Sequence, residues 1–186
     1  YSTLNKPIYA FHLGNYDGPQ MIMEGGIHAR EYLSTLFLIE ETKYLSTMDI
    51  TNGGIYIIPL VNPDGVTLVL NGANSISCET LKQYLLLLNQ GNQNFGLWKA
   101  NINGVDLNLN YPAMWEQAKE QKFAAGFISP GPLNFVGFSP LDQPESRAIY
   151  NLSLKETFDL TVSLHTQGEE IYWRFGDYQT KRGKET

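Results

Sequence analysis

Cysteine is almost missing from these 186 residues. The single Cys78 cannot close an internal disulfide, so the fold does not depend on an oxidising compartment, and the compartment itself is left open. Also missing is any uninterrupted apolar run of the roughly 18 to 20 residues that a membrane span requires, and no basic, apolar, small-residue leader opens the chain. Positive charge is sparse and dispersed. The 13 Lys and Arg against 19 Asp and Glu leave a formal charge of -6, which excludes the clustered basic footprint that nucleic-acid backbones require. Only three histidines occur, so the place of each one matters.

What is present fits one globular α/β domain over residues 1–186, with 42% hydrophobic and 17% charged residues and enough chain to bury a sizeable core. Residues 7–12, PIYAFH, and 21–24, MIME, read as short strands joined by the turn-rich LGNYDGPQ, which predicts a hairpin. From Glu31 onward Leu33, Leu36, Phe37, Ile39, Tyr44 and Leu45 recur at helical spacing, which predicts a packed helix of about 15 residues. IYIIPLVN at 55–62 has the continuous apolar, β-branched character of a strand buried on both faces, and NPDG then turns the chain. ETLKQYLLLLNQ at 79–90 predicts a helix whose leucines either pack into the core or line an interface.

Residues 91–141 are rich in Asn, Gly and Pro and show helical periodicity only in AMWEQAKEQK at 113–122. Long irregular stretches of this kind tend to carry function. Asp142 and Glu145 have capping-box spacing around Pro144 and predict a helix to about residue 157. DLTVSL at 159–164 predicts a second buried strand, ending at His165. Strands alternating with helices point to a mixed, mainly parallel sheet flanked by helices.

The chemistry gathers at GGIHARE, residues 25–31. His28 and Glu31 are three positions apart at a strand-to-helix junction, close enough for an imidazole nitrogen and a carboxylate to meet at one point. Zinc accepts that pair, and a catalytic zinc site takes three protein ligands and leaves one position for water. His12 lies inside the first apolar strand and reads as a packed or edge residue. His165 ends a strand, where ligands gather in open α/β sheets, and is the better third candidate.

GGIHARE, PLVNPDGV at 59–66, GVDLNLNYP at 104–112 and SLHTQG at 163–168 occur in the same order as the signature segments of the zinc carboxypeptidases of carboxypeptidase A type, and the chain resembles that family over most of its length. The resemblance implies a mixed sheet between helices and Zn2+ held by His28, Glu31 and His165. It also implies that Asp106 hydrogen-bonds the first zinc histidine, that Arg30 contacts bound peptide and that Asn108 meets the substrate terminus. The chain departs from the pattern at Leu109, where the family carries an arginine that pairs bidentately with a free C-terminal carboxylate; an apolar side chain cannot supply that fork.

The segment LWKANINGVDLNLNYPAMWEQAKEQK, together with PLDQPESRA and HTQGEEIYW, resembles the bacterial branch of the family that cuts γ-D-glutamyl-diamino acid bonds of cell-wall peptides. The resemblance implies a muropeptide substrate, contacted by Arg30, Lys99, Asn108 and Gln167. Alternatives are a carboxypeptidase that removes C-terminal residues and a zinc-dependent peptide-binding module without turnover. The family's general-base glutamate lies on a late strand, and none of Glu169, Glu170 and Glu185 matches it. The reading is therefore of an incomplete catalytic domain or a truncated relative, lacking the family's late strands and exposing a sheet edge through which copies of the chain would pair.

Overall fold

The computed structural model describes residues 1–173. Its sheet consists of β1 (Phe11–Gly14), β2 (Gln20–Glu24), β3 (Gly54–Ile58) and β4 (Leu160–Ser163), in the order β1-β3-β2-β4. β2 runs parallel to both β3 and β4, and only β1 is antiparallel to its neighbour β3, so the sheet is mixed and mainly parallel. The apolar run IYII takes an inner position in β3, where Ile57 and Ile58 are fully buried.

Two strand expectations change. Residues 7–12 and 21–24 do not pair as a hairpin: the first strand begins only at Phe11, and it pairs with β3, which inserts between β1 and β2. The turn-rich linker encodes a reversal but not a partner, and the more apolar β3 takes the place between the two. β4 is not buried on both faces either. It is an edge strand among the described residues, with Leu160 exposed.

Helix α1 (Leu33–Leu45) follows a 3₁₀ turn at Ala29–Glu31. Its periodic apolar residues Leu33, Leu36, Phe37, Ile39 and Tyr44 are exposed, contrary to the expected packed stripe, and the buried face consists of Ser34, Thr35 and Leu38. The reason lies in the two glycines opposite. A Cβ on Gly25 would come within 3.0 Å of Leu38, and Gly26, at φ +61°, would press a Cβ against Thr35. Small side chains on both partners let helix and loop approach this closely.

NPDG opens a helix rather than turning the chain. Asn62 accepts the Gly65 N–H at 3.0 Å, Pro63 fills the first turn, and α2 runs over Pro63–Asn71. Helix α3 (Glu79–Leu88) buries Leu85 and packs Leu81, Leu86 and Leu88 on the core while Leu87 stays exposed. Helix α4 spans Trp115–Ala124 and α5 Pro144–Lys155. Asp142 and Glu145 do not form a capping box: Gln143 occupies the cap position, and Glu145 is instead fully buried, accepting Thr3 N–H and Asn101 Nδ2–H. Asp142 accepts Phe138 N–H and Asn110 Nδ2–H. Among the described residues no helix is long and apolar enough to cross a membrane.

Two apolar clusters meet at residues 27–29. Ile27 belongs to the cluster of Ile22, Ile58, Val61 and Leu107 on the sheet, and Ala29 to that of Leu68, Leu85, Phe95 and Trp98 beneath α2 and α3. Asn62, fully buried, ties the two together: its Nδ2 donates to Ile27 O at 3.2 Å and Ala100 O at 3.1 Å, and its N–H donates to Gly26 O. Replacing it by alanine removes a helix cap and leaves two buried carbonyls unanswered. Asn62→Ala should therefore destabilise the protein by roughly 2 to 4 kcal/mol in urea unfolding; a loss below about 1 kcal/mol, the scale of an ordinary cap alone, would show that the two carbonyls find other donors.

Candidate metal centre

The centre is assembled where β2 and β4 end. β2 stops at Glu24, and the next residues bond back to the loop after β3, Gly25 N–H to Ile58 O and Val61 N–H to Gly25 O, so the chain leaves the sheet in a fixed direction. His28 is extended (φ -92°, ψ 125°), and the 3₁₀ turn that follows, closed by Glu31 N–H to His28 O at 3.0 Å, brings the Glu31 carboxylate back beside the imidazole. The parallel register of β2 with β4 sets Glu24 opposite Ser163, whose Oγ donates to the Glu24 carboxylate at 2.8 Å. Two residues later the strand delivers His165 to the same spot.

The three side chains converge. His28 Nδ1 lies 3.1 Å from Glu31 Oε1 and 3.1 Å from His165 Nδ1, and His165 Nδ1 lies 2.9 Å from Glu31 Oε2. His28 and Glu31 are buried, while the His165 side chain is 29% exposed, so the cluster has one open side. On its far side His28 Nε2 is 3.1 Å from Asp106 Oδ1, within a fully buried carboxylate. In the neutral tautomer that donates from Nε2 to Asp106, the Nδ1 lone pair is turned toward the cluster. In that tautomer the Nδ1 lone pair faces His165 Nδ1 and the Glu31 carboxylate, an arrangement that can share a cation.

This donor set fits zinc. Two imidazole nitrogens and a carboxylate oxygen are the ligand types it prefers, and a tetrahedron with ligand distances near 2.0 to 2.2 Å has edges of roughly 3.3 to 3.6 Å. The closest contacts here are 2.9 to 3.1 Å, each histidine meeting a different oxygen of Glu31, and one ligand atom from each of the three residues lies within 4.8 Å of the others.

The other predicted residues divide. Arg30, half-buried, donates from Nη2 to Gln167 Oε1 at 2.5 Å, joining the two motif loops across an open groove of about 300 Å³ that Glu31, Gly96, Leu97 and Thr166 also line. Asn108 sits exposed on the 3₁₀ turn Leu107–Leu109. Lys99, expected as a substrate contact, has its ammonium 3.0 Å from Asp106 Oδ2, where a fully buried carboxylate draws in a nearby cation. Gly96 and Leu97 were not singled out from the sequence; the only available signal was their position just before Trp98-Lys99. His12 is remote from the cluster, stacked on Tyr16 and bonded to Gln20. Glu170 is exposed and accepts the Tyr172 hydroxyl, and Glu185 lies outside the described residues.

Charge couples the group. Burial opposes ionisation of Glu31, but hydrogen bonds from His165 and His28 outweigh it and hold the carboxyl well below its usual range. Burial opposes ionisation of Asp106 as well, and His28 and Lys99 together bring it below its ordinary value. For His28, burial disfavours the cation, yet Asp106 and Glu31 raise its pKa. The same contacts thus favour the ionised carboxylates and the protonated imidazole together.

The signs of these shifts give a pH profile. Glu31 and Asp106, depressed on folding, contribute stability that is fully present above their unfolded values of roughly 4.3 and 3.9 and is lost as pH falls through the lower folded ones. His28, raised on folding, contributes stability present below roughly pH 6.5 and lost as pH rises through its folded value. The metal-free protein should therefore show its highest urea midpoint between about pH 4.5 and 6.5, and Glu31→Gln should flatten the acid limb. An acid limb identical in that variant would show that Glu31 does not contribute to it.

The sequence matches the family model for zinc carboxypeptidase, peptidase M14, over residues 1–186. The γ-D-glutamyl-L-diamino acid endopeptidase 1 of Lysinibacillus sphaericus is 37% identical over 188 residues, covering 94% of this chain and 46% of that protein. The protein YqgT of Bacillus subtilis (strain 168) is 38% identical over 189 residues, covering 94% of this chain and 49% of its own length. The chain thus spans about half the length of these curated relatives. The crystal structure of carboxypeptidase A from Helicoverpa armigera aligns with a TM-score of 0.67 at 20% identity, over 90% of this chain and 39% of the other, a likeness of fold. With the family model matched over residues 1–186 of the chain and a fold like that of carboxypeptidase A, this chain belongs to the zinc carboxypeptidase family of peptidases.

Proposed function

We propose that His28, Glu31 and His165 hold a zinc ion, and that the protein hydrolyses γ-D-glutamyl-diamino acid bonds in bacterial cell-wall peptides. The observation that carries the metal assignment is the convergence of His28, Glu31 and His165, whose ligand atoms, one from each residue, lie within 4.8 Å of one another beside the open groove that Glu31 lines. When bound there, zinc would polarise the scissile carbonyl and lower the pKa of its water toward about 7. This chain's own residues hold and orient. Asp106 fixes the His28 ring, and Arg30, steadied by Gln167, presents a guanidinium at the groove where it can pair with a substrate carboxylate. Asn108 offers an exposed amide on the neighbouring turn.

Leu109 supports the choice of substrate. A half-buried leucine stands where a carboxypeptidase needs a guanidinium for the free C-terminus, and a relative that shares 37% identity is named as a γ-D-glutamyl-L-diamino acid endopeptidase. A substrate with carboxylates and an amine around the scissile amide instead suits polar groups spread along the groove, as Arg30, Gln167 and Asn108 are.

Two measurements on the full-length protein test this. His28→Ala and His165→Ala should each weaken zinc binding by more than about 100-fold in chelator competition, the upper end of what outer-shell losses cost; unchanged zinc content would dispose of the ligand assignment. The wild-type protein should cleave a γ-D-glutamyl-diaminopimelate peptide, lose that activity to a chelator and regain it with zinc. Cleavage only of a peptide with a hydrophobic C-terminal residue would make it a carboxypeptidase, and zinc binding without turnover of either would make it a peptide-binding module.

A further inference from the structure

We propose that Lys99 is a positioning residue for His28, acting through Asp106, and not a contact for substrate. The inference rests on the reading of His28 as a metal ligand and adds a part to that centre. The lysine holds residues 28 and 29 in two ways. Its carbonyl accepts the N–H of Ala29 at 3.1 Å, which fixes the backbone immediately after the histidine, and its ammonium lies 3.0 Å from Asp106 Oδ2. The segment carrying it is itself rigid: Lys99 N–H donates to Pro132 O at 2.8 Å, and its neighbours Trp98 and Ala100 are fully buried, with the Trp98 indole donating to Asn101 O.

The two oxygens of Asp106 have separate duties. Oδ1 faces His28 Nε2, while Oδ2 is held by Lys99 Nζ and by the N–H of Asn134 at 3.3 Å. A carboxylate turns about its last bond in a broad two-fold well, so holding one oxygen fixes the direction of the other. The direction of Oδ1 sets the plane of the His28 ring, and with it the direction of the Nδ1 lone pair. Substrate binding would need the ammonium free at the groove, whereas here it is 20% exposed and engaged with a buried charge.

A double-mutant cycle on the full-length protein separates the two roles. Zinc dissociation constants would be measured by chelator competition for wild type, Lys99→Met, Asp106→Asn, the double variant and Lys99→Arg. Lys99→Met should weaken zinc binding by about 10- to 100-fold, the range seen when outer-shell partners of metal ligands are removed. It should add little in the Asp106→Asn background, because the lysine acts only through that carboxylate, and Lys99→Arg should restore most of the affinity. Should Lys99→Met fail to fold, Lys99→Gln, which keeps a donor for Oδ2 without the charge, carries the same comparison. Unchanged zinc affinity with a raised KM for the peptide would overturn the proposal and make Lys99 a substrate residue. Additive losses in the cycle would overturn it as well. A wild-type protein that binds no zinc would bring down the metal assignment itself, a failure distinct from either.

Discussion

The site depends on one buried charge. Asp106 is fully buried, and a carboxylate in such a place has to be answered on both oxygens or its burial costs several kcal/mol. The answers come from three distant parts of the chain: the imidazole of His28, the ammonium of Lys99 and the backbone N–H of Asn134. His28 and Lys99 are held by backbone bonds of their own, so satisfying the carboxylate and orienting the His28 ring are the same act. The long segment between α3 and α5 reads as irregular because it does this local work and is not required to continue the sheet.

Around that charge the fold supplies two rigid references. Ile27 and Ala29 are anchored in different apolar clusters, so the residue between them has no freedom to tilt toward either. The parallel register of β2 and β4 then delivers His165 from the far end of the chain, with Leu164 N–H bonded to Glu24 O at 2.9 Å just before it. A sheet register is a stringent ruler, since a slip of one residue would send the next side chain to the opposite face. Local spacing sets the angle between His28 and Glu31, and strand pairing closes the third vertex.

The residues that meet at the centre were legible in the sequence where chemistry narrows the choice. Three histidines leave few combinations, and a histidine at a strand end beside an HxxE turn is one of very few places where three donors can meet. Asp106 and Arg30 became legible through the ordered motifs. The partner of β1 was not legible, because a turn-rich linker announces a reversal without naming the strand it pairs with. The start of α2 was hidden because Asn-Pro-Asp-Gly serves equally as a turn and as a capped first helical turn, and only the carbonyls of Ile27 and Ala100 decide between them. Asp142 and Glu145 have the spacing of a cap, but a fully buried carboxylate with two donors waiting elsewhere is better satisfied by those donors. Lys99 was expected at the substrate from the resemblance alone, and its pairing with the buried Asp106 carboxylate is a long-range contact that sequence does not display.

Helix α1 shows how far the site shapes its surroundings. Amphipathic periodicity says that Leu33, Leu36 and Phe37 belong inside, yet they are more than half exposed while Ser34 and Thr35 are buried. The inner face has to lie against Gly25 and Gly26, and Ser34 has to link them, accepting the Gly26 N–H at 2.9 Å while donating to Glu31 O at 2.7 Å. Beside Leu38, the short side chains of Ser34 and Thr35 permit that approach, and the Ser34 hydroxyl both accepts and donates there. Large apolar residues on this face would push the helix away from the glycines and break the bond that ties Glu31 to the turn before His28. The inward face of this 13-residue helix is thus the one that carries the Ser34 link between Gly26 and Glu31, against the preference of its own apolar pattern.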